Sequence, residues 1–561
     1  MKDIGRLDAA IRYNHRFLHP TVYLPGRSDD SGPRFRKLIR HRVFHPLLLA
    51  AYPVLALWAF NVDWLRPQDP LRTLLLSVVV ALLLLPILAR VLRDWHRAGI
   101  LVSLLLILFF SYGHLYEAMK SLGLGASLGR HRYLAPVFLA IGISLVWWIV
   151  RRLRRPEAAT GVLNIVALAA LALPVLAIGR SSYTRLTGAG TATEAAVSLH
   201  LSESTRPPDI YYIIVDGYAR QDTLQKVFEF DNTPFLSFLE ERGFYIAGNS
   251  RSNYAQTGLS LSSSLNLDYV EALIPGLGDD SVGRQSLWNL IKHSEVRRQL
   301  ESLGYVTVAF STGLAGTEWT DADFYLTAGA VDEDLGLVGT NPFESMLIQT
   351  SMLRLISDGV VALPRFIPDV RYPYQVHRNR IRNIFDRLKD LPPIEGPKFV
   401  FAHIISPHPP FVFAADGSPV TPDAPFTLRF TFDAGDPSNE EYRRGYRDQT
   451  IFVNHQLEQV VAAILQNSEV PPVILLQGDH GPDSGSGRVS YIQERMTNLN
   501  AYLLPAGADG LYPGITPVNS FRVVFNQLFG GEFPMLDDRV LYSEYAHPYD
   551  FQDVTEAIEG P

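Results

Sequence analysis

Five long apolar stretches in the first 180 residues constrain the fold of this chain more than any other feature. They lie at 43–62, 73–92, 99–118, 133–150 and 160–179. A helix needs about 20 apolar residues to cross the hydrocarbon of a bilayer, which is about 30 Å thick. Buried helices of soluble proteins usually keep a polar stripe, and the run from Leu74 to Leu88 has almost none. The sequence therefore predicts a transmembrane domain of five helices within residues 43–180.

Basic residues at the ends of these stretches predict how the chain crosses the membrane. They are concentrated in residues 1–42, around Arg93 between the second and third stretches, and at 151–155 between the fourth and fifth. Short cytoplasmic loops carry an excess of Lys and Arg, so these three segments are expected on the cytoplasmic side. Five spans then place the residues after 180 outside. The predicted protein crosses a bacterial-type inner (plasma) membrane several times and has a cytoplasmic, basic N-terminus.

The composition excludes several classes of site and partner. The chain has no cysteine, which excludes disulfides, zinc-thiolate sites and cysteine nucleophiles. The net charge of −7 combines a basic part up to residue 180 with an acidic part after it. An acidic outer domain argues against nucleic acid as a partner and is compatible with cation binding.

A linker and an outer domain follow the apolar stretches. Residues 181–207 are rich in Ser, Thr, Gly and Ala and predict a linker. From 208 to 561, short apolar runs alternate with helical patterns, which predicts an α/β domain with a mostly parallel central sheet. The predicted strands are 209–215, 244–247, 305–310, 398–405 and 473–477, and the predicted helices are 234–242, 286–303 and 440–466. Two long segments rich in Gly, Pro and Asp, 313–345 and 412–440, are candidate lids.

Two of the predicted strands end in residues that suit a metal site. The first ends in Asp216-Gly217 and the last in Gly478-Asp479-His480-Gly481. Ligands bind at the carboxyl ends of the strands of an open α/β sheet. Adjacent Asp and His side chains there can give a divalent cation one oxygen and one nitrogen ligand. On its own an Asp-His-Gly sequence is more often a solvated turn with a capping Asp, so the other motifs must decide between the two interpretations.

Four motifs occur in a fixed order behind the five apolar stretches. They are Asp216-Gly217, Thr257 in the Ser-rich run 250–266, Ser406-Pro-His-Pro-Pro-Phe411, and Gly478-Asp479-His480-Gly481. This set resembles the alkaline-phosphatase/sulfatase superfamily, and the anchor resembles its membrane branch, the lipoteichoic acid synthases and phosphoethanolamine transferases. The resemblance covers most of residues 209–545. It implies that residues 208–561 form an extracytoplasmic, periplasmic sulfatase-like catalytic domain.

The resemblance implies a site with one divalent metal ion and a hydroxyl nucleophile. The implied ligands are Asp216, Thr257, Asp479 and His480, and the ligand types favour zinc or manganese, with magnesium as the alternative. Thr257 is the implied nucleophile, since metal coordination activates a hydroxyl and a helix start offers N–H groups to an anion. Ser260 and Ser262 are alternatives, because hydroxyls in so Ser-rich a run also serve as caps or surface groups.

Two histidines and an aromatic residue receive different interpretations. His408 matches the histidine that the family places near the substrate headgroup or leaving oxygen, where it can carry a proton. His403 lies inside an apolar strand and is predicted to be a core residue. Trp319 falls where the synthase relatives carry an aromatic and a basic residue for the headgroup, and this chain has Asp321 and Asp323 there. That departure argues against a polyglycerolphosphate substrate.

The resemblance implies a metal-dependent transferase of a phosphoryl headgroup from a membrane lipid to an envelope glycan or lipid acceptor. The alternative is a phosphoesterase or sulfoesterase that uses the same site with water. A third interpretation is a membrane scaffold without catalysis. The presence of all four ligand-type residues argues against it. Sulfatases mature a residue in a Cys/Ser-x-Pro-x-Arg motif to formylglycine, and that motif is absent here. Sulfate-ester hydrolysis by that route is therefore not expected.

Overall fold

The computed structural model describes residues 42–62, 65–122, 130–187, 199–200, 206–276, 278, 281–329, 341–357, 360, 372–422, 426, 428, 440–482 and 488–558. The predicted basic segment at the N-terminus, most of the predicted linker and parts of both candidate lids lie outside these residues. The boundaries predicted for these segments therefore stay predictions.

Five helices form the first part of the described chain. They are α1 (His45–Phe60), α2 (Leu71–Leu92), α3 (Trp95–Ser121), α4 (His131–Arg151) and α5 (Pro156–Thr187). The last four are long and apolar enough to cross a membrane. α1 has 16 residues. A helix of that length extends about 24 Å, which is less than the roughly 30 Å of hydrocarbon. Length and composition thus support four of the five predicted spans.

Small side chains let these helices approach one another. Ala50, Ala81, Ala89 and Ala98 are buried in the cluster where α1, α2 and α3 meet. Helices in lipid associate through such small residues, because lipid tails are as apolar as Leu and only close backbone approach improves the packing. Larger side chains face outward; Leu75 on α2 is 67% exposed. An outward apolar surface of this kind is what contact with lipid requires.

The outer domain is built on a seven-stranded sheet in the described residues. Its strands are β1 (Ile210–Val215), β2 (Tyr245–Ile246), β3 (Val306–Phe310), β4 (Phe324–Leu326), β5 (Lys398–Ile404), β6 (Val473–Gln477) and β7 (Asn500–Leu503). The order across the sheet is β2-β7-β6-β1-β5-β3-β4. β6, β1, β5, β3 and β4 run parallel, whereas β7 pairs antiparallel with β6 and β2. The predicted mostly parallel sheet is confirmed. A small second sheet pairs β8 (Leu541–Tyr542) with β9 (Gln552–Asp553).

β1 lies in the middle of the sheet and is buried on both faces. Tyr211 and Ile213 pack into the core on one side of the sheet, and Tyr212 and Ile214 into the core on the other. A strand that is covered on both faces has no position for a solvated side chain. This explains why the sequence of β1 is apolar throughout, and why the acid Asp216 comes only after the strand has ended.

Twelve further helices follow in the described residues, and most of them pack on the two faces of the sheet. They are α6 (Gln221–Phe228), α7 (Thr233–Glu240), α8 (Thr257–Leu265), α9 (Val270–Leu273), α10 (Gln285–Lys292), α11 (Glu295–Ser302), α12 (Pro342–Thr350), α13 (Arg354–Ser357), α14 (Tyr372–Asp390), α15 (Glu440–Asn467), α16 (Arg488–Met496) and α17 (Pro517–Phe529). The single helix predicted over 286–303 is wrong, since α10 and α11 divide it. Ser294 starts the second helix by accepting a hydrogen bond from the Arg297 N–H.

The first candidate lid, 313–345, is not one loop over the sheet. Its described residues form a 3₁₀ turn, the edge strand β4 and the start of α12. α12 begins at a capping box, in which the side chains of Asn341 and Glu344 each accept from the other's backbone N–H. Phe343 of this helix packs beside Val54 of α1 and Leu65. The segment therefore joins the outer domain to the membrane helices.

Candidate metal centre

Three neighbouring strands bring the site together at one edge of the sheet. β6 and β5 lie on either side of β1. Asp216 follows β1, Asp479 follows β6 after one glycine, and His403 lies in β5 beside Ile214 of β1. Because the three strands are parallel, their carboxyl ends meet at the same edge. The sheet register therefore places these side chains close together.

The ligand atoms of Asp216, His403 and Asp479 all lie within 4.8 Å of one another. His403 Nε2 is 3.3 Å from Asp216 Oδ2. His480 adds a second ring nitrogen, since its Nε2 is 3.3 Å from Asp479 Oδ2 and 3.9 Å from Asp216 Oδ1. The structure thus brings together the three predicted ligands that follow β1 and β6. It adds His403, which the sequence had assigned to the core.

Two glycines around Asp479 and His480 permit close backbone contacts. A Cβ on Gly478 would lie 2.4 Å from the carbonyl oxygen of Tyr218, and a Cβ on Gly481 would lie 2.1 Å from that of Glu494. Neither distance is compatible with a side chain at these positions. The glycines let the chain pass through a narrow space and so determine where Asp479 and His480 lie.

The two oxygens of Asp479 have different surroundings. Oδ1 accepts hydrogen bonds from the N–H groups of Gly217 and His480, each at 3.0 Å. Oδ2 is buried and has no hydrogen-bond partner among the described residues. One oxygen therefore fixes the carboxylate to the loops after β1 and β6, and the other faces the site.

The ring of His480 presents Nε2 to the site. Its Nδ1 lies 2.9 Å from the Gly481 carbonyl oxygen. That oxygen can only accept, so Nδ1 carries the proton and Nε2 has the lone pair. Arg495 of α16 donates to Nε2 at 3.0 Å, and also to the carbonyl oxygens of Ala255 at 2.8 Å and Gly481 at 3.0 Å. The guanidinium therefore joins the loop before α8 to the loop after β6 and brings a permanent positive charge to the site.

Thr257 is the first residue of α8, and its hydroxyl faces His480. The Thr257 Oγ1 lies 3.2 Å from His480 Nε2. The two serines that the sequence left as alternatives donate to the backbone instead. Ser260 Oγ donates to the Asp479 carbonyl oxygen at 2.7 Å, and Ser262 Oγ donates to the Gly258 carbonyl oxygen at 2.6 Å. Of these three hydroxyls, only that of Thr257 faces the ligand cluster.

Burial and neighbouring charges shift the carboxyl groups in opposite directions. Burial alone would raise the pKa of Asp216, but His408 and the other histidines of the site hold that pKa below its ordinary value. Burial and the negative charge of Asp216 raise the pKa of Asp479 to about 6. Burial and the Arg495 cation hold the pKa of His480 well below its ordinary value. Asp216 is thus an ionised oxygen donor, and His480 is a neutral nitrogen donor.

The unpaired atoms of this cluster fit a divalent cation. Asp216 Oδ1, Asp479 Oδ2 and His403 Nε2 are buried, and none has a hydrogen-bond partner among the described residues. Buried polar atoms without partners are costly, and a cation bound between them would satisfy all three. Carboxylate and imidazole donors together suit zinc or manganese better than the all-oxygen shell that magnesium prefers. A metal ion is therefore consistent with the residues present.

His408 lies beside the cluster. Its backbone N–H donates to the Asp216 carbonyl oxygen at 3.1 Å, and its side chain is half-buried. Its Nδ1 lies 2.5 Å from the Pro409 carbonyl oxygen. Nδ1 therefore carries the proton, and Nε2 is the nitrogen that can exchange one with a substrate. This arrangement is compatible with the predicted role of His408 in proton transfer.

The segment around Trp319 is part of the core. Trp319 is fully buried and stacks on Phe401 with ring centroids 4.4 Å apart. Asp321 forms an ion pair with Arg297 at 3.0 Å, and Asp323 accepts a hydrogen bond from the backbone of β3 at 2.8 Å. These side chains have structural partners. The two acids therefore do not stand in for a basic headgroup-binding residue.

The sequence interpretation missed Arg495, and it predicted His403 as a buried core residue without connecting it to the metal centre. Arg495 reaches the site only because α16 folds back over the loop after β6, and no local motif marks it. His403 looked like a core residue because the strand around it is apolar. Its position five residues before His408, in the strand that was expected to carry His408 to the site, was the signal that could have identified it.

Neither a model of a known protein family nor a curated protein sequence matches this chain. Solved structures do match it. The C-terminal periplasmic domain of EcEptC from Escherichia coli, in complex with zinc, is similar with 9% identity and a TM-score of 0.40, over 64% of this chain and 95% of that one. The lipooligosaccharide phosphoethanolamine transferase A from Neisseria meningitidis, an integral membrane protein, is similar with 12% identity and a TM-score of 0.39.

The similarity to the Neisseria protein covers 88% of this chain and 95% of that one. A protein of the alkaline phosphatase superfamily from Vibrio parahaemolyticus is similar with 9% identity and a TM-score of 0.37, over 65% of this chain and 82% of that one. The Vibrio protein is from the superfamily that the sequence motifs resemble.

Proposed function

We propose that this chain is a membrane-anchored, metal-dependent enzyme of the alkaline-phosphatase/sulfatase superfamily that transfers a phosphoryl headgroup from a membrane lipid to an envelope glycan or lipid. Thr257 is the nucleophile in this proposal. The observation that carries it is the position of the Thr257 hydroxyl at a helix start, 3.2 Å from His480 Nε2 and next to two buried carboxylates.

The residues that would hold the ion are those whose atoms are directed into the site. Asp216 and Asp479 belong to the predicted set, and His403 offers a nitrogen beside them. Thr257 and His480 complete the predicted set, and the Nε2 lone pair of His480 would turn from Arg495 to the ion. When bound, a divalent ion lowers the pKa of a coordinated hydroxyl and polarises a phosphoryl oxygen. Arg495 holds the loops of Thr257 and His480 together and adds a cation that can pair with a phosphoryl oxygen.

The reaction proceeds in two halves. In the first, Thr257, whose hydroxyl proton has been released to solvent, attacks the headgroup phosphorus through Oγ. A new O–P bond forms, and the bond to the diacylglycerol oxygen breaks. In the proposal His408 enters this half with a proton on each ring nitrogen, keeps the one on Nδ1 and gives the one on Nε2 to that leaving oxygen. In the second half, an acceptor hydroxyl gives its proton to His408 Nε2 and attacks the phosphorus of the phospho-threonine. The bond from phosphorus to Thr257 Oγ breaks, and both residues return to the protonation states in which they began. The N–H groups at the start of α8 face the anionic phosphoryl group in both halves.

The membrane helices favour a lipid donor. An enzyme that is held at the surface of a bilayer meets its donor at a high effective concentration, and binding then costs less translational freedom. The site lies in a domain that α12 and its capping residues join to the membrane helices. A soluble phosphate ester would gain nothing from that attachment.

The experiment detects the covalent intermediate. The full-length protein is incubated with labelled membrane phospholipids and digested with trypsin, and the peptide from Ser252 to Arg284 is analysed by mass spectrometry. We expect an added mass equal to the phosphoryl headgroup on Thr257, and none in Thr257→Ala. Ser260→Ala is the matched control and should keep the adduct. Survival of the adduct in Thr257→Ala would exclude Thr257 as the nucleophile.

The same experiment separates transfer from hydrolysis. With transfer, the adduct persists until an envelope glycan or lipid with a free hydroxyl is added. With hydrolysis, free phosphorylated headgroup accumulates in the absence of any acceptor. The second outcome would replace the proposed transferase with a phosphoesterase that uses the same residues.

A further inference from the structure

Two arginines join the membrane helices to the outer domain through bidentate ion pairs. Arg66, in the connection between α1 and α2, donates from Nη2 to Glu318 Oε1 at 2.6 Å and from Nε to Oε2 at 3.1 Å. Arg72, in the first turn of α2, donates from Nε to Glu344 Oε1 at 2.7 Å and from Nη2 to Oε2. The two pairs have the same chemistry. They lead, however, to different parts of the outer domain.

Glu318 organises the loop that follows β3. Its carboxylate is almost fully buried. Besides Arg66, Oε1 accepts from the N–H groups of Gly313 at 2.9 Å and Thr312 at 3.2 Å, and from Ser311 Oγ at 3.3 Å. Burial alone would raise the pKa of Glu318, but the Arg66 cation, with a further contribution from Arg380, holds it below its ordinary value. Without Arg66, this carboxylate would lose its closest opposite charge.

The residue before Glu318 touches the metal centre. Thr317 Oγ1 lies 3.2 Å from both the Leu314 carbonyl oxygen and Thr312 Oγ1, and 3.0 Å from His403 Nδ1. When the threonine gives its single proton to Leu314 or Thr312, it can only accept one from Nδ1 of the histidine. The lone pair of His403 is then on Nε2, the atom that lies 3.3 Å from Asp216 Oδ2. Thr317 thus determines which nitrogen of His403 faces the site.

We propose that Arg66 is a positioning residue for the metal centre. Arg66 holds Glu318 in place, and Glu318 fixes the loop that carries Thr317. Thr317 in turn orients His403 toward Asp216. The inference rests on the proposed metal-dependent function. The connection between two membrane helices is therefore part of the outer support of the site. The anchor does more than keep the enzyme near lipid, because the docking of this connection prepares a nitrogen ligand for the ion.

Arg72 provides a matched control for Arg66. Both residues form bidentate pairs between the same two parts of the molecule, and only the Arg66 pair continues to a ligand of the site. The experiment titrates full-length Arg66→Gln and Arg72→Gln proteins, in lipid nanodiscs, with Co²⁺ and records the visible absorption of the bound ion. We expect Arg66→Gln to weaken Co²⁺ affinity by about 10-fold and to change the absorption band, as loss of outer support for a metal ligand does. Arg72→Gln should leave both unchanged.

A second pair of variants tests the same chain of contacts inside the outer domain. Thr317→Val removes the hydroxyl with little change of shape, and Thr317→Ser keeps it. We expect Thr317→Val to weaken Co²⁺ binding by about 10-fold or more and Thr317→Ser to resemble the wild type. If Arg66→Gln does not fold, Thr317→Val and Thr317→Ser test whether this chain of contacts positions the metal ligand.

Two results would overturn the inference in distinguishable ways. If the wild-type protein binds Co²⁺ and neither Arg66→Gln nor Thr317→Val weakens that binding, the positioning role is wrong and the proposed function stands. If the wild-type protein binds no divalent ion, both the proposed function and the positioning role are wrong. Equal weakening in Arg66→Gln and Arg72→Gln would also count against the inference, because general loosening of the two parts would then explain it.

Discussion

Arg495 gives the site a positive charge that does not depend on a metal ion. Its guanidinium contacts His480 Nε2, the Gly481 carbonyl oxygen and the Ala255 carbonyl oxygen, and so it spans both loops that carry the reacting groups. In the proposed reaction the negative charge on the phosphoryl oxygens grows within reach of these donors. Fixed donors aimed at such charge usually make a large contribution to catalysis.

We predict that Arg495→Gln lowers kcat by about 100-fold or more, and by far more than it weakens metal binding, since most of the loss falls on transition-state stabilisation. The measurement is the initial rate of headgroup release from labelled phospholipid, together with Co²⁺ titration of the same sample. Arg443→Gln is the control, because the Arg443 guanidinium forms a surface pair with Glu229 at 2.9 Å. An unchanged kcat in Arg495→Gln would show that the charge is not used.

Several of the elements follow from local patterns in the sequence. β1 and β6 are short runs of Ile, Val, Leu and Tyr that end in Asp-Gly or Gly-Asp-His-Gly, and buried parallel strands demand that composition. α15 follows from its amphipathic spacing over 440–467. The assignment of β1 and β6 as parallel strands also places Asp216 and Asp479 at the carboxyl edge of the sheet, since parallel strands end at one edge.

Other elements depend on pairings that no local pattern reveals. His403 joins the site because β5 lies beside β1, which is a contact between residues far apart in the chain. Glu318 and Arg66 are separated by most of the membrane helices and meet only in the folded molecule. α12 is a different case, because Asn341, Pro342 and Glu344 form a helix-start signature that was present in the sequence. It was overlooked inside a segment rich in glycine and acids.

α12 leads to a prediction about the contact between the outer domain and the membrane helices, which is called the joint below. The Asn341 side chain caps α12 and also donates to the Asp69 carbonyl oxygen at 3.0 Å. We predict that Asn341→Ala destabilises α12 by about 1 kcal/mol, the usual cost of a lost N-cap. Amide hydrogen exchange across 342–350 should become faster. Ser294→Ala, which removes the cap of α11 in the outer domain, should leave exchange in α12 unchanged.

If exchange in α12 were the same in Asn341→Ala and the wild type, the capping box would not stabilise the joint. If Ser294→Ala also accelerated exchange in α12, the effect would be a general loss of stability and not a property of the joint.

For the whole molecule, a bound metal ion should stabilise the folded state. The cluster of buried, unpaired ligand atoms exists only when β1, β5 and β6 are assembled. An ion that binds only the folded protein adds about 2.7 kcal/mol when its concentration is 100 times Kd. We predict a higher Tm of the full-length protein in zinc than in a chelator, measured by scanning calorimetry in detergent. A variant with both Asp216→Asn and Asp479→Asn should have the same Tm in both conditions.

Contacts and charges at the ends of the membrane helices predict how the whole molecule crosses the membrane. Arg66 contacts the outer domain, so the connection between α1 and α2 lies on the side of that domain. The connection between α4 and α5 lies at the other end of the membrane helices, opposite to the connection between α1 and α2. It carries the basic cluster at 151–155. α1 is only 16 residues long, yet it must cross the membrane if residues 1–42 are cytoplasmic, as their charge predicts.

Labelling at single cysteines tests this topology, because the chain has no cysteine of its own. We predict that a membrane-impermeant maleimide labels Gln68→Cys and Ser302→Cys in intact spheroplasts, since both residues are exposed and lie on the side that the charge pattern predicts to be outside. Ser28→Cys and Glu157→Cys should be labelled only after the membrane is permeabilised. Labelling of Ser28→Cys in intact spheroplasts, with Glu157→Cys still protected, would mean that α1 does not cross and that four helices anchor the enzyme. Labelling of Glu157→Cys would reverse the proposed orientation of the whole molecule.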